Sequence, residues 1–498
     1  MQNHSYLEAK KILADLSSIE SALGILQWDQ EVIMPSGSSE LRGKTMATLA
    51  ALAHEKLTSD KLKACLNAAQ KEPLSEIDQA NVREALRDVA RATQIPESLV
   101  REWSETTVRA HEVWVQARKE KNFKLFQPEL EKLVSLAKKR ASAIQPQMPA
   151  YDVLIDEFEP GMTQAQIEAI FEPLKKFLIQ FLKQIKTAKL PYDTSWLNSP
   201  VTPGEQHRAG EAIVRSMGFD FKRGRLDSSV HPFCGGGGPD DVRITTRYNE
   251  TAFLGSLMGM IHETGHALYE QGRNPQFLDQ PVSRARSMGI HESQSLLWEK
   301  QVGQNRAFWE HHFPKLQQNY PFLKSITLDE FIFGVNQVDF NNFIRVDADE
   351  LTYPLHVILR YEIERDLFSG KLEVKDLPAV WNAKMTEYLG ITPPDDSLGV
   401  LQDTHWSGGA FGYFPSYTLG ALYAAQFIKK ATTEAPQIEP ALSKGDPQPL
   451  LSWLREKIHR AGSTYSTDDL CKRATGETLN PEHFIQYAQL KYSKLYRL

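Results

Sequence analysis

Apolar residues recur along most of the chain with the spacing of amphipathic helices. Between residues 163 and 185 they follow the i, i+3, i+4, i+7 rule, at Ile167, Ile170, Phe171, Leu174, Phe177, Leu178, Phe181, Leu182 and Ile185. Thr163 with Gln166 three residues later predicts a capping box at the start of this helix, and Pro173 predicts a kink or restart within it. The same spacing predicts helices over residues 12–26, 84–91, 99–118, 130–137, 296–312, 355–367 and 419–428.

Strand patterns are few. Residues 242–248 alternate and are rich in β-branched side chains, which predicts one strand. The four glycines at 235–238 lack the ending of a phosphate-binding P-loop and predict a flexible turn before that strand. Loops are predicted over residues 186–206 and 435–449. Neither a repeat nor a shift in composition divides the chain, so we expect one large, mainly α-helical unit over residues 1–498, with two lobes around a cleft as an open alternative.

Composition is that of an ordinary globular protein and excludes several function classes. The 498 residues are 41% hydrophobic and 24% charged, which suits a large apolar core. With 57 Lys and Arg against 63 Asp and Glu, the formal charge of −6 argues against a nucleic-acid binder and against a polybasic membrane-surface protein. Cys65, Cys234 and Cys471 are too sparse for a disulfide framework or a cysteine zinc site. Without a signal-peptide pattern or a long apolar run, we expect a soluble cytoplasmic protein.

The strongest chemical pattern is HETGH at residues 262–266, which follows a segment with helical apolar spacing. On a helix, His262 and His266 at i and i+4 lie on one face, so both imidazoles can reach one metal ion. Glu263 then lies beside the open coordination position, where a general base is needed. The alternative is a pair of helical histidines with a solvated glutamate between them.

A catalytic zinc ion usually takes three protein ligands, and the third histidine of the longer HExxHxxGxxH pattern is absent here. Glu292 is the first candidate, because HESQS at residues 291–295 opens another amphipathic segment. Glu270 and Glu299 compete with it. Glu270 is on the same helical face as His266 but a full turn beyond it, where one straight helix cannot wrap a small ion.

The chain carries six motifs, which in chain order are HPF at 231–233, DVRIT at 241–245, HETGH at 262–266, HESQS at 291–295, IRVDAD at 344–349 and GVLQDTHW at 399–406. Together they resemble the carboxypeptidase Taq family, also called the M32 metallocarboxypeptidases. Further similar segments are LQWD at 26–29, MP at 34–35 and residues 151–161, so the resemblance covers nearly the whole chain.

The resemblance implies one mainly α-helical domain with a deep substrate groove and a minor β element, similar to neurolysin-like and angiotensin-converting-enzyme-like peptidases. It also implies a homodimer, and one Zn²⁺ per chain (Co²⁺ as the alternative) held by His262, His266 and Glu292. The implied activity is removal of single amino acids, with broad specificity, from peptides with a free C-terminus. A zinc endopeptidase or dipeptidase on the same fold is an alternative. A noncatalytic metal- or peptide-binding protein is another, against which Glu263 argues.

Further residues are candidates for the chemistry around the metal. Glu263 is expected to act as general base, and the tetrahedral oxyanion needs a donor besides the metal. Tyr417 is the first choice for that donor, because it opens an apolar helical stretch; His405 is the second catalytic candidate. Tyr413 is a candidate contact for the substrate or the oxyanion, and its alternative is an aromatic core residue.

Recognition of a free α-carboxylate calls for an arginine, since its planar fork binds carboxylates in bidentate fashion. Arg345 in IRVDAD is the candidate from the resemblance, with an internal ion pair to Asp347 or Asp349 as the alternative. Arg243, with Asp241 as its partner, could serve instead. His231 is either a substrate contact or a core histidine.

Overall fold

Twenty α-helices and one small sheet form the computed structural model, which describes residues 4–498. The helices are α1 His4–Val32, α2 Ser39–Thr58, α3 Asp60–Ala69, α4 Glu76–Gln94, α5 Glu97–Glu120, α6 Phe123–Ile144, α7 Ala150–Phe158, α8 Gln164–Thr187, α9 Pro203–Ser216, α10 Phe253–Gln271, α11 Met288–Leu296, α12 Arg306–Asn319, α13 Leu328–Val335, α14 Tyr353–Ser369, α15 Leu377–Leu389, α16 Pro415–Glu434, α17 Ile438–Leu442, α18 Gln448–Leu454, α19 Thr467–Thr475 and α20 Glu482–Tyr496. The strands are β1 Gly224–Ser228, β2 Cys234–Gly238 and β3 Asp241–Thr246. The predicted mainly α-helical class is confirmed.

The predicted helices are present, with two differences. α8 begins with the predicted capping box of Thr163 and Gln166, and it continues through Pro173 without a restart. The predicted helix over 296–312 is wrong as one element. A π-helical turn, Leu297–Val302, follows α11, and α12 begins only at Arg306. The break has a local cause, because the Asn305 side chain accepts a hydrogen bond from the backbone N–H of Ala307 and so caps a new helix.

The sheet has the order β1-β3-β2, with β1 parallel and β2 antiparallel to β3. β3 confirms the predicted strand, but the predicted flexible turn at residues 235–238 is wrong, since these glycines belong to β2. Pairing with β3 satisfies their backbone groups, and α1 packs across the other side, where the Ser21 hydroxyl donates to the carbonyl of Gly237. An edge strand is thereby covered by a helix.

The main core runs through the helices from α5 to α20 and includes large buried side chains such as Trp298, Trp309 and Trp381. A smaller, separate cluster joins the first half of α1 to α3 and α4. Within residues 4–498, no helix is both long enough and apolar enough to cross a membrane.

The site elements meet around α11, which packs against α10 on one side and α16 on the other. Two glycines permit these close crossings. A Cβ on Gly265 of α10 would lie 2.5 Å from the carbonyl oxygen of Gln294, and a Cβ on Gly420 of α16 would lie 2.7 Å from Cγ of Glu292. The helix that carries Glu292 is therefore held close to both neighbours.

Candidate active site

α10 and α11 bring two imidazoles and one carboxylate around a single point. Oε2 of Glu292 lies 3.3 Å from Nε2 of His266 and 3.9 Å from Nε2 of His262. Zinc ligands at about 2.1 Å in a tetrahedron are about 3.4 Å apart, so this donor set fits a divalent ion of that size. Among residues 4–498, these three side chains are the one group of three or more His, Cys, Asp or Glu residues whose ligand atoms lie close enough together to hold a metal ion.

Both competing candidates for the third ligand are engaged elsewhere. Glu299, on the π-helical turn, accepts a hydrogen bond from Nδ1 of His262 at 2.8 Å, on the side of the ring away from Glu292. Glu270 accepts one from Nε2 of His291 at 2.9 Å and also pairs with Arg273. Glu299 thus orients one imidazole, as carboxylates commonly do behind metal-bound histidines.

Glu299→Gln is expected to lower the affinity for the metal by roughly 10–100-fold, because the amide orients the His262 ring less firmly than the carboxylate. Competition with a chelating dye on the metal-free protein measures this change. The matched control is Glu362→Gln, which removes another buried carboxylate, one that pairs with lysines instead of a histidine. Equal affinities for the two variants would contradict an orienting role for Glu299.

Opposing electrostatic effects act on these groups in the metal-free protein. Burial lowers the pKa of His262, but the carboxylates of Glu292 and Glu299 outweigh it and raise the pKa to about 9. Burial raises the pKa of Glu263 to about 7, against the opposing charge of His262. For His266, burial and the neighbouring His291 lower the pKa to about 4. One histidine therefore carries a proton at neutral pH that a metal ion must displace.

The affinity for a divalent metal is accordingly expected to rise about tenfold per pH unit between roughly pH 7 and pH 9, and to level off above pH 9. The sign follows from His262, whose raised pKa means that the metal-free state holds the proton throughout this window. Metal titrations at several pH values, in buffers of different ionisation enthalpy, measure both the slope and the released proton. An affinity that is flat from pH 7 to 9 would contradict this protonation state.

Arg345 lies in a short 3₁₀ turn before α14 and is 4% exposed. Its Nε and Nη2 donate to Oδ1 of Asp403 at 3.1 and 3.0 Å, and its Nη1 donates to the hydroxyl of Tyr353 at 3.2 Å. The alternative partners named from the sequence were therefore wrong. Asp349 instead accepts hydrogen bonds at the start of α14, including one from the Thr352 hydroxyl at 2.7 Å.

The aromatic candidates form one cluster with Arg345. Nε2 of His405 lies 3.1 Å from the hydroxyl of Tyr417, and the rings of Tyr413 and Tyr417 are 5.1 Å apart. The Arg345 guanidinium lies 4.5 Å from the centre of the Tyr417 ring. Burial lowers the pKa of His405 to about 4, so this imidazole is neutral at pH 7. Burial, with the charge of Glu292 contributing, raises the pKa of Tyr413, so its hydroxyl keeps its proton.

Two buried carboxylates hold the segment that carries these aromatic residues. Glu364 of α14 accepts hydrogen bonds from the Trp406 indole at 2.7 Å and from the backbone N–H of Gly412 at 2.8 Å. Glu159 accepts one from the hydroxyl of Ser416 at 2.7 Å, immediately before Tyr417. Burial raises the pKa of both carboxyl groups to about 7. The segment is therefore fixed at both ends by the protein interior.

The remaining two candidates lie elsewhere. Arg243 pairs with Asp241 at 2.8 Å, and its guanidinium lies 4.3 Å from the centre of the Trp28 ring, so it attaches α1 to the sheet. His231 is exposed on the loop between β1 and β2, which makes the core-histidine alternative wrong. Among the contacts of residues 4–498, neither joins the Arg345 cluster.

The helical fold, with HETGH on one helix and a glutamate of the next beside it, is that of a metallopeptidase. The chain belongs to the family described as carboxypeptidase Taq (M32) metallopeptidase, whose model matches residues 8–492. It is 39% identical to carboxypeptidase 1 of Bacillus subtilis strain 168 over the full length of both chains. It is 40% identical to thermostable carboxypeptidase 1 of Thermus thermophilus over 98% of each chain.

Among solved structures, the chain is similar to the M32 carboxypeptidase of Deinococcus radiodurans R1, with a TM-score of 0.97 and 36% identity over 99% of this chain and 100% of that one. It is also similar to metallocarboxypeptidase 1 of Trypanosoma cruzi, with a TM-score of 0.93 and 38% identity over 99% and 100%. The predicted family, fold class and enzyme class are confirmed. The protein is a metallocarboxypeptidase, a hydrolase that acts on peptides and uses a divalent metal.

Proposed function

We propose that the chain removes single amino acids from the free C-terminus of peptides, with one Zn²⁺ held by His262, His266 and Glu292. The observation that carries the proposal is the convergence of two Nε2 atoms and one carboxylate oxygen within 4.8 Å. Two imidazoles and a carboxylate are a frequent set for catalytic zinc. Co²⁺ accepts the same donors, so metal analysis of the purified protein, followed by reconstitution of the metal-free form with each ion, distinguishes the two.

When bound, the metal lowers the pKa of water and polarises the scissile carbonyl. Glu263 takes the proton of the attacking water and later delivers it to the leaving amine. In the metal-free protein, burial raises the pKa of this carboxyl group to about 7. Glu263 lies between the two histidines in the sequence, and it is only 7% exposed. Bulk water therefore competes little for the proton that Glu263 carries.

The oxyanion that develops on the carbonyl requires a donor, and Tyr417 supplies it in this proposal. Its hydroxyl lies 3.1 Å from Nε2 of neutral His405, which can orient the hydroxyl without adding a charge. The ring of Tyr413 packs edge-on against the ring of Tyr417. In this proposal Tyr413 contacts the substrate beside Tyr417.

Arg345 recognises the α-carboxylate of the substrate. Nε and Nη2 are held by Asp403, so the end of the guanidinium that bears Nη1, next to the Tyr353 hydroxyl, is the part that meets the substrate. A partly buried charge-assisted contact of this kind gives strong discrimination against a neutral C-terminus. The positions of Arg243 and His231 do not favour a role for either in this contact.

A time course of one unblocked peptide, followed by mass spectrometry, tests the proposed activity. A ladder that loses single C-terminal residues is expected, with many different residues released in turn. Internal fragments without such a ladder would favour the endopeptidase alternative. The same peptide blocked at its N-terminus is the control, because only the C-terminal end is expected to matter.

We also infer a homodimer from the resemblance and keep the cytoplasmic location that the sequence leads us to expect, and both stay predictions. Light scattering behind a sizing column tests the first, at concentrations on both sides of the assay concentration. Cell fractionation tests the second.

A further inference from the structure

A second arginine binds the carboxylate of Asp403, at the oxygen that Arg345 does not contact. Arg360 lies on α14, is completely buried, and donates from Nε to Oδ2 of Asp403 at 2.7 Å, while Arg345 occupies Oδ1. Its Nη1 donates to the backbone carbonyl of His356, and its guanidinium lies 4.5 Å from the centre of the Trp381 ring. Arg360 is therefore buried and binds the carboxylate oxygen of Asp403 that Arg345 does not contact.

The three side chains carry two positive charges and one negative charge, so the group has a net charge of +1. His405, 3.9 Å from the carboxylate, does not change this sum, because burial keeps it neutral. Glu364, one helical turn beyond Arg360 on α14, accepts hydrogen bonds from Tyr151, Trp406 and Gly412 and forms no ion pair within 4.0 Å in the described chain.

We propose that Arg360 is a positioning residue for peptide recognition: it neutralises Asp403, so that the charge of Arg345 stays available for the α-carboxylate of the substrate. The inference rests on the proposed function of Arg345 and adds to it. Without Arg360, Arg345 and Asp403 would form a neutral pair, and the Asp403 carboxylate would offset much of the attraction that Arg345 exerts on an arriving carboxylate. With Arg360, Asp403 can hold the Arg345 fork rigidly while the group still attracts an anion.

A series of charge variants tests the proposal. Arg360→Met brings the net charge to 0, Asp403→Asn brings it to +2, and the double variant restores +1; asparagine keeps an acceptor oxygen for Arg345. The readout is the ratio of kcat/KM for a peptide acid to that for its C-terminal amide, together with a thermal melt. We expect Arg360→Met to lower this ratio at least about tenfold, mainly through KM of the acid, and the double variant to regain it to within about threefold.

The matched control is Arg365→Met, which removes a cation one turn away on α14 that pairs with Glu168 and Asp366. It is expected to leave the ratio unchanged. If Arg360→Met lowers the melting temperature but not the ratio, Arg360 has a structural role only and the proposal is overturned. If Arg360→Met does not fold, Arg360→Lys is expected to keep the ratio within about threefold, and Asp403→Asn is expected not to lower it. A tenfold drop in either of those variants would overturn the proposal.

The role of Arg345 in the proposed function and the role of Arg360 can be rejected separately. If the acid-to-amide ratio were unchanged in Arg345→Ala, Arg345 would not bind the substrate carboxylate at all. If the ratio collapsed in Arg345→Ala and stayed intact in Arg360→Met, recognition by Arg345 would stand, and only the role of Arg360 would be rejected.

Discussion

Glu263→Gln is expected to keep its metal and to lower kcat by roughly 10²–10⁴-fold, the usual contribution of a general base. The amide has nearly the same shape as the carboxylate but cannot take a proton from the attacking water. Because Glu263 is not among the three donors that converge on one point, its loss should leave the metal content unchanged. Elemental analysis and initial rates on the same sample measure both quantities.

Glu292→Gln is the matched variant, because it makes the same chemical change on a residue that faces both imidazoles. We expect it to lose metal affinity first, and to recover part of its activity when excess metal is added. Glu263→Gln should show no such recovery. If Glu263→Gln lost its metal while Glu292→Gln retained it, the roles of ligand and base would have to be exchanged.

The two histidines proposed as metal donors could be placed side by side from the sequence because the information is local. His262 and His266 are one helical turn apart, so the geometry of a helix alone places both rings on one side. Placing Glu292 beside these histidines also required the direction of the following helix, which the sequence does not specify. Its competitors Glu270 and Glu299 had equally suitable chemistry, and only tertiary packing separates them, since each forms a hydrogen bond to a different histidine.

The partner of Arg345 could not be predicted for the same reason. Asp349 is favoured by helical spacing, but the local chain is a 3₁₀ turn that ends before α14, and Asp349 accepts a hydrogen bond from the Thr352 hydroxyl instead. Asp403 is distant in sequence, and nothing in its local pattern indicates an arginine on each side. The motif GVLQDTHW contains it, so the resemblance marked the segment without revealing the contact.

The glycine-rich β2 shows a different limit of sequence reasoning. Propensity disfavours glycine in strands, which agrees with the turn predicted for these residues. Backbone pairing with β3 and the cover provided by α1 override it, because both depend on segments far away in the chain. Local preference is therefore a poor guide where an edge strand is covered by another element.

Arg345→Ala is expected to lower kcat/KM for a peptide with a free C-terminus by an amount equivalent to about 2–5 kcal/mol. The loss arises because the substrate carboxylate would enter a partly buried groove without its partner. Arg345→Lys should not rescue the activity fully, since an ammonium cannot hold Asp403 and the substrate with one planar fork. Steady-state kinetics on both variants measure the loss.

The decisive comparison changes the enzyme and the substrate once each. A C-terminally amidated peptide should suffer a similar loss on the unmodified enzyme and little further loss on Arg345→Ala, because the same contact is removed from either side. The Arg345–Asp403 pair also contributes to the fold, so a lower melting temperature for Arg345→Ala is expected and does not discriminate. The acid-to-amide ratio discriminates between the alternatives. If the Arg345–Asp403 pair served only the fold, Arg345→Ala would leave the ratio unchanged. An endopeptidase would cleave the acid and the amide almost equally, with or without Arg345.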